Sequence, residues 1–193
     1  MESVIGLDLG QVRDPSAIAV LERREVQGEW DPVVFGHRKE IALRLRYLER
    51  VPLGTPYAEV VERVRGMTRS VELAGHCRLV VDATGVGRPV VELLESARLG
   101  CGIMPVMVTG GEMESMSRGY YRVPKRDLIV GVQVLLQNGQ LQIAAGLAQG
   151  AALVREMAEM QGYCRLPGFE VAVLFLRRLF AARAAVSPVG GFE

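Results

Sequence analysis

The sequence predicts an α/β domain built on a mixed sheet, in which three antiparallel strands come first and strand–helix units follow. The chain has 193 residues, of which 49% are hydrophobic, and this is enough for one sizeable core. Three apolar or alternating runs precede the first helical pattern, and apolar runs then alternate with helical patterns. This order puts helices on both faces of the sheet, unlike a dinucleotide-binding fold, which begins strand, helix, strand.

The first part of the chain predicts three strands joined by turns. Residues 3–9 (SVIGLDL) form a nearly continuous apolar run, which is typical of a buried strand. Residues 13–16 (RDPS) predict a turn because Asp and Pro favour turn positions, and residues 17–23 predict the second strand of a hairpin. Residues 28–31 (GEWD) supply the next turn, and residues 32–43 predict a third strand interrupted by a glycine.

The middle of the chain predicts strand–helix units. Residues 57–73 have apolar side chains at the spacing of an amphipathic helix, after an irregular segment with several prolines. CRLVVDATG (77–85) predicts a buried central strand, and residues 86–99 predict a helix with a proline in its first turn. Residues 102–110 predict another strand, whereas the polar, glycine-bearing residues 110–123 predict a loop.

The last part of the chain predicts two more helices. Residues 124–139 begin with proline and end with Asn-Gly, which are start and stop signals of a helix. Residues 140–144 predict a short strand or turn, and residues 148–163 predict a further helix.

Charge and composition exclude several function classes. The formal net charge of +1 gives no general attraction to nucleic acid or membranes, so any such site must be a local patch. The three cysteines are widely spaced and the two histidines are too few for a zinc cluster. We expect a cytoplasmic protein without membrane contact, since no secretory signal is evident and the apolar run at 171–186 is too short and too rich in arginine to span a bilayer.

Two acids stand out because each lies within or at the end of an apolar strand. Asp8 lies in the first strand and Asp82 near the end of the fourth, and a sheet of this order makes those strands neighbours near their carboxyl ends. Adjacent carboxylates repel each other, and a divalent cation such as Mg²⁺ or Mn²⁺ resolves that conflict. Two such ions can activate a water and stabilise the leaving oxygen of a phosphodiester. The alternative is that Asp8 lies beside a turn and Asp82 caps the segment before Thr84.

Several segments together resemble the nuclease domain of phage terminase large subunits, the DNA-packaging motors of tailed phages and prophages. In matching order, from about residue 3 to about residue 161, they are IGLDLGQVRDPSAIAVL, VVDATGVGRPVVELL, VTGG, VPKRDLIVGVQVLLQNGQLQIA and LVREM. The resemblance implies an RNase H-like fold and Mg²⁺- or Mn²⁺-dependent cleavage of double-stranded DNA into packaging units in a bacterial host. It also implies an RNase H-like domain over residues 1–163, followed by a divergent, partly helical tail over residues 164–193.

The resemblance assigns roles to individual residues. Asp8 would be the first metal-binding acid and Asp82 the second, and Asp14 an accessory acid in the first hairpin, although Asp14 also suits a turn. Lys125 would face the phosphates, although it also suits a solvated first turn of a helix. The turn behind Asp82 would be shaped by Thr84, Gly85 and Gly87.

Two departures from the family pattern affect the predicted activity. No G-x-x-x-x-G-K-[ST] motif is present, so we expect a separate packaging ATPase or a portal protein as partner, besides double-stranded DNA. The family also has a third acid, an Asp in a His-Asp-Asp run before a final apolar helix. After Gly162 the only acids are Glu170 and Glu193, and Glu170, which precedes an apolar run, is the candidate third metal ligand.

Two other functions stay open. A prophage remnant could keep the RNase H-like fold, cleave nothing, and bind DNA or a protein partner; a third carboxylate beside Asp8 and Asp82 would argue against it. IGLDLG also resembles the first phosphate motif of actin-like ATPases, but those need two such domains and a longer chain. The run at 171–186 suits a helix docked on the sheet, an oligomer contact, or an out-of-frame segment after a deletion.

Overall fold

One mixed sheet of eight strands, covered by four helices, makes up the described part of the protein. The computed structural model describes residues 2–10, 15–84 and 87–159. The strands are β1 (Glu2–Asp8), β2 (Ala17–Asp31), β3 (Gly36–Arg50), β4 (Cys77–Asp82), β5 (Gly102–Thr109), β6 (Ser115–Ser117), β7 (Tyr120–Pro124) and β8 (Leu141–Ile143). The helices are α1 (Tyr57–Thr68), α2 (Gly87–Ser96), α3 (Lys125–Gln137) and α4 (Gly150–Glu159).

The strand order confirms the predicted fold class, a mixed sheet in which three antiparallel strands come first and strand–helix units follow. Across the sheet the order is β6-β7-β5-β4-β1-β2-β3-β8. β1, β2 and β3 pair antiparallel, whereas β4 pairs parallel with β1 on its other side and is followed by β5 and β7, also parallel. The three antiparallel strands therefore come first and the strand–helix units extend the sheet from β1 in the opposite direction.

The sheet has an apolar layer on each face, as the alternation of helices and strands predicted. On the α1/α2 face, Ile5, Leu79 and Leu94 lie in one buried cluster, and on the α3/α4 face, Val80 and Leu153 lie in the other. Leu94 and Leu153 are fully buried, and burial of a leucine side chain contributes about 1.5–3 kcal/mol to folding. The central strands are covered from both sides, which explains their continuous apolar sequence.

Three helix boundaries follow the proline and glycine signals of the sequence. α1 and α3 begin directly after Pro56 and Pro124, whose extended backbone ends the preceding segment. α3 ends at Gln137 with Asn138 as its C-cap, and Gly139 follows at φ +65°, a left-handed conformation that glycine adopts without strain.

The turn between β2 and β3 differs from the prediction. Residues 28–31, predicted as a turn, belong to β2, and the turn is formed by residues 32–35, predicted as strand. The backbone N–H of Val33 donates a hydrogen bond of 2.9 Å to Oδ1 of Asp31, and this Asx turn reverses the chain. β3 then continues to Arg50, beyond the predicted end at residue 43, so that β2 and β3 are both 15 residues long.

A β-bulge in β3 explains why its second half was not predicted. Leu45 pairs with Leu21 and Tyr47 with Val20, which leaves Arg46 as an extra residue in the strand. Because of this extra residue, Leu45 and Leu48 face the same buried layer although they are three positions apart. The alternation of buried and exposed residues is therefore interrupted in the sequence of β3, although the same face of the strand stays in the core.

The predicted loop 110–123 contains a small hairpin, β6–β7, at the edge of the sheet. Ser117 pairs with Tyr120, and the two residues between them, Arg118 and Gly119, have φ of +50° and +83°. Two consecutive positive φ values define a two-residue type I′ turn, which matches the twist of a hairpin. The strands were missed because polar residues dominate this stretch.

Residues 160–193 lie outside the described part, and with them the predicted domain boundary at residue 163 and the tail. In the described ranges, no helix has the length and apolar character needed to cross a bilayer.

Candidate metal centre

The register of β1 and β4 brings the two predicted acids together. Asp8 and Asp82 are directly paired, and each is the last residue of its strand. Neighbouring strands lie about 4.8 Å apart, and paired residues point to the same face of a sheet. Asp82 is also paired with Val106, which is buried in the α3/α4 layer, so both carboxylates face the α3/α4 side.

Thr84 holds the carboxylate of Asp82 in one orientation. Oδ1 of Asp82 accepts hydrogen bonds from the backbone N–H of Thr84 at 2.8 Å and from its hydroxyl at 2.5 Å. The Thr84 hydroxyl oxygen also accepts a hydrogen bond of 2.8 Å from the N–H of Val108 on β5. Among the residues that the structure describes, none donates to Oδ2 of Asp82, which leaves that oxygen available to a ligand.

Burial raises the pKa of Asp82, although its two hydrogen bonds with Thr84 oppose that effect. Removal of water disfavours the charged form of the carboxyl group, and here that effect is the larger one. A carboxylate in this environment, opposite a second carboxylate, gains from a nearby cation. The oxygen donors of Asp8 and Asp82 suit a hard divalent ion, so the residues present fit such an ion.

Gly10, two residues beyond Asp8, is held by two side chains that sequence reasoning missed. The N–H of Gly10 donates to Oγ of Ser16 at 3.1 Å, and the hydroxyl of Tyr57 donates to the carbonyl oxygen of Gly10 at 3.0 Å. Ser16 is buried, and Tyr57 is the first residue of α1. These contacts tie the exit of β1 to the helix and fix the backbone two residues beyond Asp8.

Arg50 belongs to the same row of the sheet as the two acids. Asp8 pairs with Ala17 and Ala17 with Arg50, so Arg50 lies two strands from Asp8, roughly 10 Å at the usual strand spacing, and faces the same side. No sequence signal pointed to it, because its register depends on the bulge at Arg46. A guanidinium there adds positive charge beside a row that carries two carboxylates.

Among the described residues, Lys125 is a predicted site residue that lies apart from the acid pair. Lys125 is exposed and begins α3 directly after β7, which lies two strands from β4. Gly87 begins α2. Asp14, Gly85 and Glu170 lie outside the described residues. Within the described ranges, no three His, Cys, Asp or Glu side chains form a group that could hold a metal ion.

The chain shows a structural similarity to a known protein. No family model matches the chain, and no curated protein matches it. Among solved structures, the chain is similar to the crystal structure of the large terminase nuclease from thermophilic phage G20c with bound zinc. The two share 21% sequence identity, with a TM-score of 0.49, and the similarity covers 93% of this chain and 80% of that chain.

We expect Asp82→Asn to stabilise the metal-free protein. The substitution removes a partly buried charge and its repulsion with Asp8, while Oδ1 can still accept the bonds from Thr84. A gain of about 1 kcal/mol would raise the thermal midpoint by about 2–4 °C in a chain of this size. The measurement is a thermal melt at pH 7 in EDTA.

The pH dependence of the stability difference between Asp82→Asn and wild type provides a second test. Because the folded-state pKa of Asp82 is raised, its contribution to stability is full below the unfolded pKa and is lost as pH rises through the folded pKa. The advantage of Asp82→Asn should therefore shrink at acidic pH. Asp31→Asn is the control, since Val33 and Arg38 lower the pKa of Asp31 and its loss should not stabilise. An Asp82→Asn midpoint below that of wild type at pH 7 would contradict this account.

We expect Tyr57→Phe to loosen the backbone at Gly10. The ring is kept and only the hydrogen bond to Gly10 is lost, which costs about 1 kcal/mol. Hydrogen exchange of the Gly10 amide should become faster. Tyr47→Phe, which removes the 2.7 Å bond to Glu49, is the matched control and should leave that amide unchanged. Equal exchange rates in wild type and Tyr57→Phe would argue against this anchor.

Proposed function

We propose that the chain is a terminase large-subunit-like nuclease domain that acts on double-stranded DNA with a divalent metal ion, and that its cleavage is impaired. The observation that carries the proposal is the pairing of Asp8 with Asp82 at the ends of two parallel strands. The raised pKa of Asp82 and its Oδ2, to which no described residue donates a hydrogen bond, support a cation between the two acids. The resemblance of the sequence to terminase nuclease domains supports double-stranded DNA as the substrate.

Asp8 and Asp82 would hold the ion, with Mg²⁺ or Mn²⁺ favoured because carboxylate oxygens are hard donors. When bound, such an ion supplies Lewis-acid activation of water and charge neutralisation at a phosphodiester. Thr84 keeps the Asp82 carboxylate oriented, and the bonds of Gly10 with Ser16 and Tyr57 keep the end of β1 in place. Asp14 is proposed as an accessory acid and Lys125 as a cation toward the phosphates.

The impairment follows from the incomplete acid set. Two carboxylates cannot fix two ions with the precision that phosphodiester hydrolysis needs, and a displacement of about 1 Å can cost on the order of a hundredfold in rate. Glu170 is proposed as a weak third ligand, in a tail (164–193) that follows the RNase H-like domain (1–163). Further proposed partners are a separate packaging ATPase or a portal protein, in the cytoplasm of a bacterial host.

One observation favours a second candidate function. In the described residues, no third carboxylate accompanies Asp8 and Asp82. A catalytically inactive prophage remnant that binds DNA or a protein partner needs no third acid. The two candidates differ in whether metal binding is followed by cleavage.

We expect Mn²⁺ to raise the thermal midpoint of the wild-type protein, with only a weak apparent affinity. A ligand that binds the folded state at ten times its Kd stabilises it by about 1.4 kcal/mol, or roughly 3–6 °C. Asp8→Asn should abolish this shift, whereas the control Asp31→Asn should keep it. Calorimetry that found two tight sites, both lost in Asp82→Asn, would contradict the weak-binding proposal.

We expect little or no plasmid cleavage with Mg²⁺, and slow, non-specific nicking with Mn²⁺ that Asp8→Asn abolishes. Gel analysis of supercoiled plasmid measures both. Glu170→Gln tests the third acid, and Glu193→Gln, in the same tail, is its matched control. Strong linearisation in Mg²⁺ that is lost in Asp8→Asn and Glu170→Gln would show a complete site. A Mn²⁺-induced shift without any nicking would favour the inactive remnant.

A further inference from the structure

A cleft of about 860 Å³ lies on the α1/α2 side of the sheet, opposite the face of the two acids. One wall is α2 and the other is the β6–β7 turn, and the floor is β5. Ala83, which follows Asp82 in the chain, lines one end of the cleft. Successive strand residues point to opposite faces, so the cleft and the acid pair are separate sites near the same end of β4.

The charges of the cleft are divided between its two walls. On α2, Arg88 and Glu92 form an ion pair of 2.8 Å, and Glu95 adds a negative charge further along the helix. On the hairpin wall, Arg118 and Arg122 are exposed and form no ion pair with any described residue. That wall therefore presents two uncompensated guanidinium groups, which suit phosphate groups.

Arg118 occupies a position that an arginine rarely takes. It is the first residue of the type I′ turn, at φ +50°, where Asn, Asp and Gly are usual. A non-glycine residue in this region stores strain, and such strain is often found at functional positions. The turn fixes the backbone of Arg118 at the rim of the cleft.

The floor of the cleft differs from its walls in being apolar. Ile103, Pro105 and Met107 form it, and Tyr120 lies beside Arg118 and Arg122 on the hairpin wall. An aromatic ring and an apolar surface suit the face of an unpaired nucleobase, and this stacking is tolerant of sequence. Glu95 can accept hydrogen bonds from the exocyclic amino group of a base.

We propose that this cleft binds single-stranded DNA, with phosphates on Arg118 and Arg122 and a base against Tyr120 and the apolar floor. The occupant is a single strand rather than a duplex, because a duplex keeps its base faces stacked inside and cannot use the floor. The inference goes beyond the proposed function, since none of these residues belongs to the acid pair and no metal is involved.

The test is fluorescence anisotropy of a labelled dT12 oligonucleotide and of a matching duplex, with the full chain in EDTA and at several salt concentrations. Arg118→Gln/Arg122→Gln should weaken dT12 binding about tenfold at low salt. Each lost phosphate contact lowers the salt slope by about 0.7, so the slope should fall by about 1.4. Tyr120→Leu should weaken binding of the same strand by roughly tenfold.

The control is Arg38→Gln/Arg65→Gln, which removes the same charge from the β2–β3 hairpin and α1 and should leave binding unchanged. Thymine has no exocyclic amino group that could donate to Glu95, so Glu95→Gln removes only repulsion and should strengthen dT12 binding. This variant keeps the proposal testable if the double variant fails to fold. No binding of dT12 by wild type, an equal loss in the control, or a larger effect on the duplex would overturn the proposal. Because EDTA removes the metal, this result is independent of whether the acid pair binds ions or cleaves DNA.

Discussion

The parallel pairing of β1 with β4 is the constraint on which the rest of the structure depends. Ile5 and Leu7 on β1, and Leu79 and Val81 on β4, are fully buried in one layer, so this pairing is held by apolar packing. A slip of one residue would turn these side chains to the other face, which fixes the register firmly. The same register places the carboxylates of Asp8 and Asp82 in adjacent positions. Burial of the apolar side chains of β1 and β4 offsets the repulsion between them.

The acids lie where the apolar layers end, and this position explains their intermediate environment. Asp82 is buried enough for its pKa to rise, yet Thr84 at its side is exposed. A carboxylate buried more deeply would be inaccessible to a ligand. A fully exposed carboxylate would be solvated by water and would gain less from binding a cation. Thr84 lies in the segment that follows β4, and Tyr57 is the first residue of α1, so the geometry at the ends of the two central strands is set by residues outside them.

The sequence predicted those parts of the fold that packing alone determines. β1, β4 and β5 are covered on both faces and carry continuous apolar runs that identify them, and the two acids at strand ends could be found by the same reasoning. The turn after β2 could not, because its apolar residues Val33 and Phe35 are 86% and 83% exposed and resemble a strand in the sequence. Arg50 and Tyr57 were missed because their places depend on pairings distant in the chain; the contact of Tyr57 with Gly10 spans 47 positions.

The bulge in β3 also bears on how the length of this strand can vary. Without Arg46, Leu45 would be followed by Tyr47 and Leu48, and buried and exposed positions would alternate without interruption. The strand can therefore lose this one residue without exchanging its faces. The side chain most affected is the buried Glu22, which lies 3.6 Å from Arg46 and would keep Arg24 as its other arginine. Loss of Arg46 is therefore a small change to the core, whereas an insertion or deletion between Glu40 and Arg44, where the pairing is regular, would reverse every residue beyond it.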